Sequence, residues 1–155
     1  MKNFIFVSIL LALLLTVNAA PFQLNKRVLN FHACLTHGPP YDVLNVRAVP
    51  RSPVSGVNVS FTVSGSLTQH VITRHRTLLE IWYQDDVTGD RIPGGTYQEY
   101  FTNSANPFTI SANVLTPHLP RPRQTTLFVV VGEHSQAHLI PFGCAQSLVD
   151  ARPGR

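Results

Sequence analysis

Val57-Asn58-Val59-Ser60-Phe61-Thr62-Val63-Ser64 decides the fold. Apolar and polar residues alternate without a break, so an extended chain sorts them onto two faces. The pattern predicts a half-buried strand, with Val57, Val59, Phe61 and Val63 inward and Asn58, Ser60 and Thr62 toward solvent. Pro50-Arg51-Ser52-Pro53 and Ser55-Gly56 mark a turn just before it.

The same rhythm extends in both directions. Upstream, Leu44, Val46 and Ala48 alternate with Asn45 and Arg47. Downstream, Leu79, Ile81 and Tyr83 make one face of a strand and Leu78, Glu80 and Trp82 the other. Asp85-Asp86 and Thr88-Gly89-Asp90 end it. Residues 96–101 form a short aromatic strand with Tyr97, Tyr100 and Phe101. Phe108, Ile110, Ala112 and Val114 alternate with Thr109, Ser111 and Asn113. Residues 127–131 are apolar on both faces, and residues 139–144 are the last candidate strand. No window after the first twenty residues keeps a helical period, and 12 prolines exclude a helical bundle. Seven or eight short strands with frequent turns predict an all-β, two-sheet sandwich of immunoglobulin-like topology. The Cys…Trp…Cys spacing of antibody domains is missing, because both cysteines lie near the ends of the domain.

The start of the chain sets the compartment. Lys2 precedes an almost unbroken apolar run over residues 4–17, and Val17-Asn18-Ala19 supplies the small residues that a signal peptidase reads. Residues 1–19 are therefore expected to be a signal peptide, followed by an irregular segment at 20–30. Lys26-Arg27 in that segment reads equally as a processing site or as a solvated pair. The mature chain is one secreted or lumenal domain carrying 11 basic and 8 acidic residues. So mild an excess favours anionic surfaces without demanding them. The compartment and the lack of a dense Lys/Arg tract argue against nucleic acid. Cys34 and Cys144, 110 positions apart, are the chain's two cysteines. In an oxidising compartment they read most simply as one disulfide.

Catalytic patterns do not emerge. The chain has no G-x-S-x-G turn, no P-loop and no H-E-x-x-H. His134 and His138 are four apart in a segment that reads as a turn between strands, so solvated loop histidines are expected there rather than a metal site. The acidic residues Asp85, Asp86 and Asp90 fall in turns. Neither an enzyme nor a cofactor is expected. Asn58-Val59-Ser60 is a glycosylation sequon on the polar face of its strand. Arg74-His75-Arg76 and Arg121-Pro122-Arg123 read either as solvated turns or as contacts for anionic headgroups.

A cysteine opening the mature domain, the stretch Pro53-Val54-Ser55-Gly56…Phe61-Thr62-Val63-Ser64-Gly65-Ser66-Leu67, and a closing Phe142-Gly143-Cys144-Ala145 together resemble the ML lipid-recognition family. The likeness is to its small fungal phosphatidylglycerol/phosphatidylinositol transfer members and spans residues 31–148, leaving 149–155 as a tail. It implies an immunoglobulin-like sandwich whose sheets part around an apolar cavity. It also implies a lipid partner, a phospholipid or sterol, carried by a monomer in transient contact with membranes, and no catalysis. Animal members typically hold more disulfides than this one pair. Phe61, Val63, Leu79, Ile81, Tyr83, Phe108, Ile110, Leu127 and Val129 suit either a closed core or the lining of such a cavity, and Tyr100 joins them as a lining candidate. Arg74, Arg76, Arg121 and Arg123 are the corresponding membrane-contact candidates. The contrasting expectation is a secreted interaction module with a closed core, which an exposed Trp82 and Tyr97 would favour.

Overall fold

The computed structural model describes residues 29–35, 41–119, 124–136 and 138–149. The leader at 1–19, Lys26-Arg27, Arg121-Pro122-Arg123 and the chain beyond Val149 lie outside the described residues. Among those described, the regular structure is all strand. It comprises β1 (His32–Ala33), β2 (Asp42–Val43), β3 (Asn45–Val49), β4 (Asn58–Gly65), β5 (Thr77–Asp85), β6 (Tyr97–Tyr100), β7 (Phe108–Leu115), β8 (Thr125–Ser135) and β9 (His138–Val149).

Two sheets result. The larger runs β1-β9-β8-β5-β6, with the short β2 added parallel to β9. The smaller runs β3-β4-β7, both pairings antiparallel. Register aligns the apolar rows. In the small sheet Val46, Val63 and Ile110 lie side by side, as do Ala48, Phe61 and Ala112. In the large sheet Leu79 pairs with Val131, Ile81 with Val129 and Tyr83 with Leu127. These rows from both sheets meet in one buried cluster, against which the half-buried Val46 and Ile110 pack. The small Ala48 and Ala112 flank the bulky Phe61, and a large side chain between small ones fills space efficiently. Burying each Val, Leu, Ile or Phe contributes about 1.5–3 kcal/mol, an upper estimate against a compact unfolded chain.

Val57 departs from its expected place. It is 44% exposed, and β4 opens one residue later at Asn58. Its amide donates to the Val54 carbonyl at 3.0 Å while its own carbonyl accepts from Thr116 at 3.0 Å. The turn through Gly56, at φ +78°, holds Val57 out of the pleat. The rest of the alternation stands: Val59, Phe61 and Val63 are buried, and Asn58, Ser60 and Thr62 are exposed.

The segment around His134 also differs from its reading as a turn. β8 continues through His134 to Ser135, and His138 already begins β9, opposite Ser135. Backbone pairing carries the hairpin past the last apolar residue, so its polar tip hid the strand. A bulge between Val131 and Gly132 shifts the register there. Gly132 is required at that point, because a Cβ would fall on the Ile140 carbonyl. Val149 likewise completes β9 rather than beginning a tail.

The large sheet also buries part of its outer face. Trp82, Val130 and Cys144 cluster there with Cys34, Tyr41, Phe128 and Leu139. Trp82 stacks on Phe128 with centroids 5.2 Å apart, and the Arg91 guanidinium lies 4.2 Å from the Trp82 ring centre. Arg91 also pairs with Glu80, which is 3% exposed. Trp82 is therefore covered rather than exposed. Cys34 and Cys144 form a disulfide with Cα atoms 5.6 Å apart, tying the chain just after β1 to β9. Such a bond is compatible with an oxidising compartment.

Candidate functional site

Two clefts open at opposite lateral edges of the paired sheets. One lies between β6, the edge of the large sheet, and β7, the edge of the small one. The other lies between β3 and residues 29–31, which lead into β1.

The β6–β7 cleft measures about 300 Å³. Tyr100, Phe101, Pro107, Phe108 and Ile110 give it apolar walls, and Glu99, Asn103, Thr109 and Ser111 add polar groups. Alternation places these residues. β7 turns Phe108 and Ile110 toward the large sheet while Thr109 and Ser111 face solvent. Phe101 follows β6 and donates its amide to the Thr77 carbonyl at 2.9 Å. It then meets Phe108 edge-on, centroids 5.2 Å apart, and both rings belong to the core. The cleft thus leads from solvent directly to the interior. At its rim the Tyr97 hydroxyl donates to the Glu99 carboxylate. Burial, then that hydrogen bond and the Glu99 charge, push the Tyr97 hydroxyl up to about 12.

Of the ten residues read as candidate lining, the structure brings Tyr100, Phe108 and Ile110 to this one cleft. Tyr100 is 45% exposed on the edge strand, Ile110 is half-buried and Phe108 is buried. The other seven pack in the interior. Phe61, Val63, Leu79, Ile81, Tyr83, Leu127 and Val129 are at most 1% exposed. Side chains so closed leave no water-sized space against them, so a ligand reaches them only if the sheets move apart. Burial raises the Tyr83 hydroxyl above its ordinary pKa, and the neighbouring Thr116 hydroxyl offsets part of that rise.

The second cleft measures about 400 Å³. Its lining was not read from the sequence. Leu29, Phe31, Leu44, Val46 and Ala48 supply apolar surface, while Asn30, Asn45, Arg47 and Arg51 supply polar groups. Only the alternation of Val46 and Ala48 with Arg47 hinted at it.

Elsewhere, Arg74 and Arg76 are exposed in the turn before β5. Arg74 Nε donates to His75 Nε2 at 2.8 Å, and Arg76 lies 3.6 Å from Glu133. Arg121 and Arg123 lie outside the described residues. Among the described residues, no three His, Cys, Asp or Glu side chains converge as metal ligands. Asn58 is exposed at the start of β4.

No family model and no curated protein matches the chain.

Proposed function

We propose that this protein is a secreted carrier of a single lipid, a phospholipid or a sterol, built as an immunoglobulin-like sandwich of the ML type. The observation that carries the reading is the β6–β7 cleft, an opening of mixed polar and apolar lining between two edge strands, with the core residues Phe101 and Phe108 at its back. Among the described residues, β6 pairs only with β5, and β7 pairs only with β4. Widening the gap between them breaks no backbone ladder.

The mechanism is burial. The apolar part of the lipid leaves water at roughly 25 cal/mol per Å² of surface. It displaces Tyr100 and Ile110 first, then separates the closed side chains behind Phe108. The polar head stays at the rim among Asn103, Thr109 and Ser111. Delivery reverses these steps at an acceptor membrane, with Arg74 and Arg76 available to anionic headgroups.

Fluorescent-phospholipid transfer between vesicles tests the reading. The folded protein is expected to accelerate transfer, and Ile110→Asn to slow it strongly with only a small loss of thermal stability. A correctly folded wild type that neither binds nor transfers phospholipid or sterol would leave an interaction module with a closed core.

A further inference from the structure

We propose that the cleft between β3 and residues 29–31 is a second binding site, for an amphiphile with one apolar chain and an anionic end group. This inference does not depend on lipid carriage at the β6–β7 edge.

The apolar wall is part of the fold, not a surface accident. Leu29 and Ala48 are buried, and Phe31 and Val46 pack against the core. The Phe31 ring meets the Phe61 ring edge-on, with centroids 6.4 Å apart. The segment is pinned to both sheets. The Leu29 amide donates to the Arg51 carbonyl at 2.8 Å, beyond the end of β3. The Asn30 amide donates to Ser147 Oγ on β9 at 2.9 Å. A wall held from two sides keeps its shape when empty, which lowers the ordering cost of binding.

Charge complementarity identifies the occupant. Arg47 and Arg51 line the cleft, and among the described residues no acidic side chain does. Neither arginine has an ion pair with an acidic residue among the described residues. A guanidinium presents a planar fork of donors that matches a carboxylate or a phosphate. An apolar strip formed mainly by the half-buried Phe31 and Val46, beside two guanidiniums without an ion pair among the described residues, therefore suits a chain ending in an anion. A volume of about 400 Å³ lies near the lower end of small-ligand pockets, which points to one chain rather than two.

Isothermal titration of the full mature chain with dodecanoate, with uncharged dodecanol and with inorganic phosphate tests the proposal. Dodecanoate is expected to bind at least tenfold more tightly than dodecanol, and phosphate alone not detectably. Arg47→Gln/Arg51→Gln is expected to bring dodecanoate down to the dodecanol level. Both arginines are exposed, so an unchanged melt will show that the variant is folded. Ile110→Asn, at the opposite edge, is expected to leave dodecanoate binding intact. Several outcomes overturn the proposal. Equal binding by wild type and the arginine variant is one. Loss of dodecanoate binding in Ile110→Asn alone is another, and it would move the ligand to the β6–β7 cleft while sparing the carrier reading. Tight binding of phosphate alone would make the site a plain anion site. No binding of dodecanoate by the folded wild type would end the proposal outright.

Discussion

Val63 and Ile110 sit opposite each other on β4 and β7, yet they should tolerate the same substitution very differently. Val63 is 0% exposed, whereas Ile110 is half-buried at the mouth of the β6–β7 cleft. Val63→Asn loses about 1.5–3 kcal/mol of apolar burial. It also leaves a buried amide unpaired, at about 1–3 kcal/mol more. A total of about 2.5–6 kcal/mol is a large share of the about 5–15 kcal/mol that holds a domain together. At Ile110 the amide can turn toward water in the cleft. The cost there falls to about 1–2 kcal/mol, within the usual range for single substitutions. A domain of this size loses about 4 °C of melting temperature per kcal/mol. Calorimetry should therefore show a drop of about 10–24 °C for Val63→Asn and of about 4–8 °C for Ile110→Asn. Equal drops, or a larger one at Ile110, would show that the cleft is closed and that Ile110 is ordinary core.

Replacing Cys34 and Cys144 together by Ala should cost about 4–5 kcal/mol by the loop-entropy model, read as a lower midpoint in urea. Arg91→Leu should cost about 2 kcal/mol, discounted for the half-exposed Arg91 side chain, because it strands the buried Glu80 carboxylate; Glu80→Leu/Arg91→Leu should recover most of that loss in the same urea titration. Asp42 is subject to burial, which raises its pKa, but hydrogen bonds from the Thr68 hydroxyl and the Thr68 and Gln69 amides, with the His70 charge, outweigh it and hold the carboxyl below its ordinary value. A lowered folded pKa gives stability that is present above the unfolded value of about 3.9 and lost as pH falls through the folded one. Asp42→Asn should therefore flatten the decline in stability below about pH 4, and an unchanged acid limb would remove Asp42 from that role.

The strands that the sequence displayed are those with one face in the core and one in water. β4 and β7 alternate cleanly because their outer residues, from Asn58 to Ser64 and from Thr109 to Asn113, meet only solvent or each other, as Ser60 does Asn113. β5 concealed its outer environment. Trp82 and Glu80 are covered by Arg91, which comes from the following turn and crosses the face by a contact that no period reveals. β1 and β2 have two residues each, too few to show any alternation. The end of β8 is polar, so Glu133, His134 and Ser135 looked like loop, although they pair with Ile140, Leu139 and His138 of β9. The clefts were harder still. Each is made where the edge of one sheet meets the edge of the other, bringing Tyr100 beside Ile110 and Leu29 beside Ala48. Those meetings follow from strand order, which local patterning does not encode. Tyr100, Phe108 and Ile110 were named as candidates for their apolar character, and topology then gathered them. Arg47 read only as the polar alternate of Val46 and Ala48, and Arg51 only as part of a turn; the wall of residues 29–31 that stands beside them is not visible in local patterning.

Mass spectrometry under non-denaturing conditions, on the protein purified from its native source, tests lipid carriage most directly. The account predicts the disulfide-bonded chain with one added mass per molecule, released on denaturation and identified as a phospholipid or a sterol. A folded, disulfide-bonded chain that keeps its bare mass, even after incubation with vesicles of both lipid classes, would contradict it.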